Sequence, residues 1–128
     1  MVNKERTKLL LINRADHPYV NRLALPGGFY KPTDDSLEFA ATRELMEETS
    51  VFAQVTEKNL VKVTSAKDRD PRGWIISVAY LLELDEALVK PVANSDALYA
   101  RWVEIDGMEK DKMAFDHYDI IRYALALK

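Results

Sequence analysis

Four charged residues near the end of one helical stretch, Arg43, Glu44, Glu47 and Glu48, are the part of this sequence best equipped for chemistry. On a helix that turns about 100° per residue, the three glutamates share one side. Leu37, Ala40 and Ala41, flanked by Leu45, form an apolar stripe on that same side. A stripe of this kind normally faces a core, yet here it ends in carboxylates. Like charges three or four residues apart on a helix repel by about 0.2–0.5 kcal/mol a pair. Anions near the negative end of the helix dipole lose roughly another 0.3–1 kcal/mol each. A divalent cation relieves both penalties, and Mg²⁺ accepts several oxygens at once. A helix end projecting into water, balanced by Arg43 and Lys31, also accommodates these residues. The helix alone leaves both readings open.

The residues before the helix favour the metal. Pro26-Gly27-Gly28 lets backbone approach a ligand closely and leaves a carbonyl free for a metal shell, although an ordinary tight turn has the same composition. Arg43 lies beside the acidic cluster, where it can orient a carboxylate or touch a phosphate, or balance charge at the surface.

Composition narrows the chemistry further. The 128 residues include no cysteine and two histidines. Disulfides, thiolate metal sites and a cysteine nucleophile are excluded, and a metal site would use mainly oxygen ligands, which suit hard cations. The formal charge of −3 argues against a nucleic-acid surface as the main function. The apolar run Leu9 to Ile12 is too short for a signal-peptide core or a membrane helix, so the cytoplasm is the expected location. The length suggests one domain over residues 1–128.

The elements that must position these residues follow from pattern and punctuation. Thr7 to Arg14 reads as a buried strand, and Leu23-Ala24-Leu25 runs into Pro26-Gly27-Gly28, a strong loop signal. A helix is predicted from Ser36 to Thr49, capped by Asp35 or Ser36, with Asp35-x-x-Glu38 fitting a capping box. Strands are predicted at 51–55, 60–64, 74–84 and 100–105, and a closing helix at 115–127. Residues 67–73 form a charged loop, either solvated or touching a ligand. Trp74 and Trp102 are expected to pack in the core or against strands, and His17 and His117 to be structural. Short strands with two main helices predict an α/β sandwich, and their irregular spacing predicts a mixed sheet.

The stretch Gly28 to Val51, GFYKPTDDSLEFAATRELMEETSV, resembles the box of the Nudix hydrolase (MutT-like) family, Gly-x5-Glu-x7-Arg-Glu-U-x-Glu-Glu-x-Gly-U, where U is a bulky aliphatic residue. Arg43 to Glu48 matches without a gap, Val51 fills the last aliphatic place, and the lead-in Leu25-Pro26-Gly27-Gly28 is characteristic. Two departures stand out. Six residues, not five, separate Gly28 from the acidic position, taken as Asp35 in place of Glu. Ser50 replaces the glycine that usually supplies a left-handed helix exit. More narrowly, LPGGFYKPTDDSL, DRDPRGWIISVAY and AFDHYDIIRYAL resemble the subgroup of ADP-ribose pyrophosphatases and their relatives in NAD metabolism. Some members of that subgroup are repressors with a C-terminal winged helix, which is not expected here because the chain ends at Lys128, just after the closing helix. Family members usually carry one more strand before the position of Lys8 to Asn13; here it is either missing or supplied by a partner or by the earliest residues.

The resemblance implies a Nudix-type α/β/α sandwich. It also implies a Mg²⁺-dependent pyrophosphohydrolase, with Mn²⁺ as a substitute, cleaving a nucleoside diphosphate linked to another group, ADP-ribose or a related NAD-derived metabolite foremost. By position, Glu47 and Glu48 become the main metal ligands, with the Gly27 carbonyl as a further one. Glu44 becomes a ligand or the base that activates water, and Arg43 holds a carboxylate. Asp96 is the candidate base outside the box. Arg69 and Arg72 are candidates for the terminal phosphate or ribose, and Phe29 and Tyr30 for stacking on a base. A homodimer, without nucleic-acid or membrane partners, completes the expectation. Two other readings remain: a non-catalytic sensor of an ADP-ribose-like ligand acting through a partner, and a hydrolase that clears free nucleoside triphosphates.

Overall fold

The computed structural model describes residues 1–94 and 97–126, and one strand organises them. β2 (Lys8–Arg14) buries four consecutive side chains, Leu9 to Ile12, as a strand covered on both faces must. Side chains alternate between the faces of a strand. Leu9 and Leu11 pack with Ile121 of α2 (His117–Ala126). Leu10 points the other way, toward Leu45 of α1 (Leu37–Thr49) and toward Trp102. The helices therefore lie on opposite faces of the sheet, as an α/β/α sandwich requires.

Every neighbour of β2 runs antiparallel to it. β7 (Ala97–Glu104) pairs along its whole length, from Lys8 opposite Glu104 to Arg14 opposite Ala97. β3 (Leu23–Ala24) and β1 (Val2–Asn3) share its other edge. β1 also pairs parallel to β6 (Glu83–Leu84), which makes the sheet mixed. β4 (Leu60–Thr64) and β5 (Ser77–Tyr80) form a separate antiparallel pair. β1 answers the question of the early strand. The first residues supply it, with Met1, Val2 and Asn3 all buried. The Asn3 side-chain oxygen closes the following turn by accepting from the Thr7 and Lys8 N–H groups at 2.8 and 3.0 Å.

Several local expectations are corrected. Residues 51–55 form no strand, because their donors turn toward α1: Val51 N–H donates to Thr49 Oγ1 and Val55 N–H to Thr42 Oγ1. The expected strand 74–84 breaks after Tyr80, where Leu81 N–H turns to the Asn59 carbonyl and the chain passes to the larger sheet. Trp74 is 67% exposed, its indole N–H bound to the Ser65 carbonyl, whereas Trp102 packs beside Leu45 as expected. Leu37, on the first turn of α1, is exposed. The cap of α1 is Ser36, whose Oγ accepts from Phe39 N–H at 3.0 Å. No Asp35 box forms, and Glu38 accepts a hydrogen bond from the Tyr80 hydroxyl instead. Ser50 keeps the left-handed exit at φ 62°. Its N–H returns to Met46 O and its hydroxyl donates to Val92 O at 3.0 Å, which secures a conformation that glycine adopts without a cost.

Candidate active site

The last two turns of α1 deliver the carboxylates, and Arg43 organises them. Its Nε and Nη2 reach the two oxygens of Asp34, both at 2.8 Å. Its Nη1 donates to Glu44 Oε1 at 2.8 Å and to Glu47 Oε1 at 3.0 Å. Nη2 also donates to the Phe29 carbonyl at 3.3 Å. The Asp34 side chain is 1% exposed, and the hydrogen bonds from Arg43 hold its carboxyl down to about 2. Hydrogen bonding to Asp34 in turn holds the Arg43 guanidinium protonated.

Asp34 is therefore the acid that partners Arg43, correcting the assignment of that place to Asp35. Five residues separate it from Gly28, the spacing of the box that this stretch resembles. The extra residue of this chain lies between the acid and Arg43. Asp35 itself is exposed.

The loop before α1 meets the carboxylates through its backbone. Gly27 N–H donates to Glu48 Oε1 at 2.7 Å, and Glu48 is buried at 5% exposure. A Cβ at Gly28 would fall 2.7 Å from the carboxylate carbon and both oxygens of Glu44, so that the Glu44 side chain would have to shift. Two of the three predicted carboxylate ligands, Glu44 and Glu48, thus press on the glycine pair.

Among the described residues, no three acidic or histidine side chains converge closely enough to hold a metal ion. Glu44 and Glu47 meet instead at Arg43 Nη1. The donor set still fits a hard cation. It consists of carboxylate oxygens on one helix face, set against the backbone of the glycine pair, and Mg²⁺ commonly takes one or two carboxylates with water completing its shell. Coordination would turn Glu44 and Glu47 away from Nη1, while Asp34 continues to hold the rest of the guanidinium.

The charged loop 67–73 reaches this region unevenly. Arg69 is not displayed to a ligand. Its side chain is 5% exposed, paired through two hydrogen bonds of 2.7 and 2.6 Å with Asp116 and bound to the Ile75 carbonyl. Arg72 is more open, tied to Asp70 at 2.8 Å, with its guanidinium 5.1 Å from the Phe29 ring and 4.7 Å from the Phe115 ring. Arg72 and Phe29 are thus brought together, whereas Arg69 serves to fix the loop. Phe29 and Tyr30 are both largely exposed. Asp96 lies outside the described residues. Close to it in sequence, Val92 and Asn94 N–H groups donate to the carbonyls of Thr49 and Glu48.

His117, expected to be structural, opens α2 and binds the glycine loop: its Nδ1 accepts from Leu25 N–H at 3.0 Å. Burial pushes its pKa down to about 4. His17 is exposed, next to the turn at Pro18. Asp34, Asp70 and Asp116 were not singled out by sequence. For Asp34 a signal existed in the five-residue spacing from Gly28. The pairing of Arg69 with Asp116 across 47 positions left no local trace.

The sequence matches the NUDIX domain family over residues 1–124. It is 39% identical over 115 residues to the ADP-ribose pyrophosphatase of Methanocaldococcus jannaschii, covering 90% of this chain and 64% of that protein. It is 33% identical over 127 residues to the ADPR responsive transcriptional repressor NtrR of Acinetobacter baylyi, covering 98% of this chain and 49% of that protein. The chain thus spans less than two-thirds of the length of both relatives. Among solved structures, the bifunctional NMN adenylyltransferase/ADP ribose pyrophosphatase of Francisella tularensis, complexed with AMP and a Mn ion, superposes with a TM-score of 0.81. Identity there is 31%, over 98% of this chain and 38% of the other.

Proposed function

Because the chain belongs to the NUDIX domain family, we propose that it acts as a single-domain, Mg²⁺-dependent hydrolase of phosphoanhydride bonds, with ADP-ribose or a related NAD-derived nucleoside diphosphate as substrate. The observation that carries this reading is the pairing of carboxylates with the glycine loop: Glu48 on the Gly27 N–H and Glu44 against Gly28. The substrate class rests on the name of the Methanocaldococcus relative. The Mn ion in the Francisella structure supports a divalent cation, with Mn²⁺ able to replace Mg²⁺.

In this proposal Glu47, Glu48 and the Gly27 carbonyl hold the cation, and Glu44 either joins them or takes the proton of the attacking water. When bound, the cation neutralises diphosphate oxygens and lowers the pKa of a bound water. Arg43 keeps the carboxylates in register through Asp34. A carboxylate, Glu44 or Asp96, accepts the proton as the water oxygen bonds to phosphorus and the bridging P–O bond breaks. Arg72, beside Phe29, meets the far phosphate or ribose, Phe29 or Tyr30 stacks on the base, and Arg69 holds that loop through Asp116. No covalent enzyme intermediate is involved.

A second reading has its own support. The Acinetobacter relative is an ADPR responsive repressor, and Glu44 and Glu47 here are both engaged by Arg43 Nη1. The chain would then sense an ADP-ribose-like ligand and act through a partner. No helix among the described residues is long and apolar enough to cross a membrane, and the proposal places the protein in the cytoplasm as a homodimer acting on a small molecule.

Incubation with Mg²⁺ and ADP-ribose, NADH, a nucleoside triphosphate or a diadenosine polyphosphate separates the readings. AMP from ADP-ribose supports the proposal. Preferential turnover of the triphosphate transfers it to nucleotide clearance, and ADP-ribose binding without turnover of any compound supports the sensor.

A further inference from the structure

Building on the metal-dependent reading above, we infer that His117 is a positioning residue that sets the backbone of the glycine loop for cation binding. The loop is fixed at two amides on either side of Pro26, which has no N–H of its own. Gly27 N–H is held by Glu48 of α1 at 2.7 Å. Leu25 N–H is held by His117 Nδ1 of α2 at 3.0 Å. The two helices lie on opposite faces of the sheet, so the loop is gripped from both sides. Removing either grip leaves the Gly27 carbonyl free to rotate about the remaining one.

His117 is itself fixed by its neighbours. Ala114 N–H donates to the Leu23 carbonyl at 2.7 Å, and Met113 bridges Leu23 in parallel, so residues 113–117 run alongside β3 and its exit. The Phe115 ring packs 5.3 Å from the imidazole. The preceding residue, Asp116, is clamped by Arg69, which also holds the Ile75 carbonyl. A continuous path of contacts therefore runs from the loop carrying Arg72, through Asp116 and His117, to Leu25 and the glycine pair. An acceptor at Nδ1 requires a neutral ring with its proton on Nε2. Desolvation keeps the ring neutral, outweighing Asp116, while Arg69 and Arg14 act in the same direction and Asp70 against it. A histidine that merely filled space would need none of this.

The test compares wild type with His117→Leu, which deletes the acceptor, and His117→Asn, whose Oδ1 falls near the place of Nδ1. Mn²⁺ affinity is measured by paramagnetic resonance titration, and exchange of the Leu25 amide by NMR. His117→Leu is expected to weaken Mn²⁺ binding about tenfold, the low end for removing an outer-shell partner of a metal site, and to speed Leu25 exchange; His117→Asn restores both toward wild type. If the leucine variant does not fold, His117→Gln, with its acceptor one bond further out, takes its place against His117→Asn. Wild-type Mn²⁺ affinity in the leucine variant, or no recovery in the asparagine variant, overturns the inference. Mn²⁺ binding by wild type without hydrolysis overturns the enzymatic reading while leaving the positioning role to be judged by the same titrations. A wild-type protein that binds no Mn²⁺ overturns both.

Discussion

Replacing Gly28 with alanine tests the contact between the glycine loop and the helix carboxylates with a single added carbon. An ideal Cβ would lie 2.7 Å from Cδ, Oε1 and Oε2 of Glu44, where ordinary contact begins near 3.4 Å. Glu44 sits at the end of a flexible side chain, so it can retreat while the fold stays in place. The backbone of Gly28 lies outside the left-handed region, and alanine reduces the entropy of the unfolded chain, worth about 0.4–1 kcal/mol in favour of folding. The two effects oppose each other and leave stability nearly unchanged. Activity is different. The retreat of about 0.7 Å carries the carboxylate off its hydrogen bond to Arg43 and away from the proposed metal, and a misplacement near 1 Å costs up to about 10²-fold. Gly28→Ala should lower kcat/KM for ADP-ribose by roughly 10- to 100-fold with a melting temperature close to wild type. Wild-type turnover with unchanged Mg²⁺ dependence would refute the placement of Glu44 against this loop during catalysis.

The other predictions address the support of the site. Asp116→Asn leaves Arg69, 5% exposed, without its counter-charge and should cost about 3 kcal/mol, the lower end for breaking a buried pair, read as a fall in the denaturant midpoint. Arg72→Ala should raise KM for ADP-ribose about tenfold with kcat retained, because it removes binding and not chemistry. The pH dependence of stability should fall in two stages. His117 is shifted down from 6.5 to about 4, so its contribution is complete above about pH 6.5 and is lost as pH falls toward 4. Asp34, held at about 2, keeps its contribution above about pH 4 and loses it as pH falls through 2. Denaturation followed from pH 7 to 2 checks this, and His117→Asn should flatten the upper stage alone.

What sequence could show was local. The spacing of Glu44, Glu47 and Glu48 set them on one side of a helix that does form, and the apolar run from Leu9 to Ile12 marked the central strand, which buries all four. What it missed depended on contacts between distant elements. The Asp34-Asp35 doublet offers two acids to Arg43; the five-residue gap from Gly28 favours Asp34, and the fold pairs Asp34 with the guanidinium. Residues 51–55 are apolar enough for a strand, but their amides bond to α1 side chains. Trp74 is a large aromatic of the kind that cores favour, yet it lies at the surface with its indole N–H bound to the Ser65 carbonyl of a nearby loop. The link from His117 to Leu25 spans 92 positions, beyond any periodic signal. Ser50 shows the opposite case: the altered residue kept the glycine geometry because its hydroxyl found the Val92 carbonyl.

Formation of AMP from ADP-ribose in the presence of Mg²⁺, compared between wild type and Glu48→Gln, tests the central claim most directly. Wild type should yield AMP and ribose 5-phosphate, and Glu48→Gln should lose at least about 10²-fold in turnover while keeping the circular dichroism of the folded protein. Equal turnover by the two proteins at saturating Mg²⁺ would contradict the role of Glu48. Binding of ADP-ribose by wild type with no AMP formed would contradict the hydrolase itself.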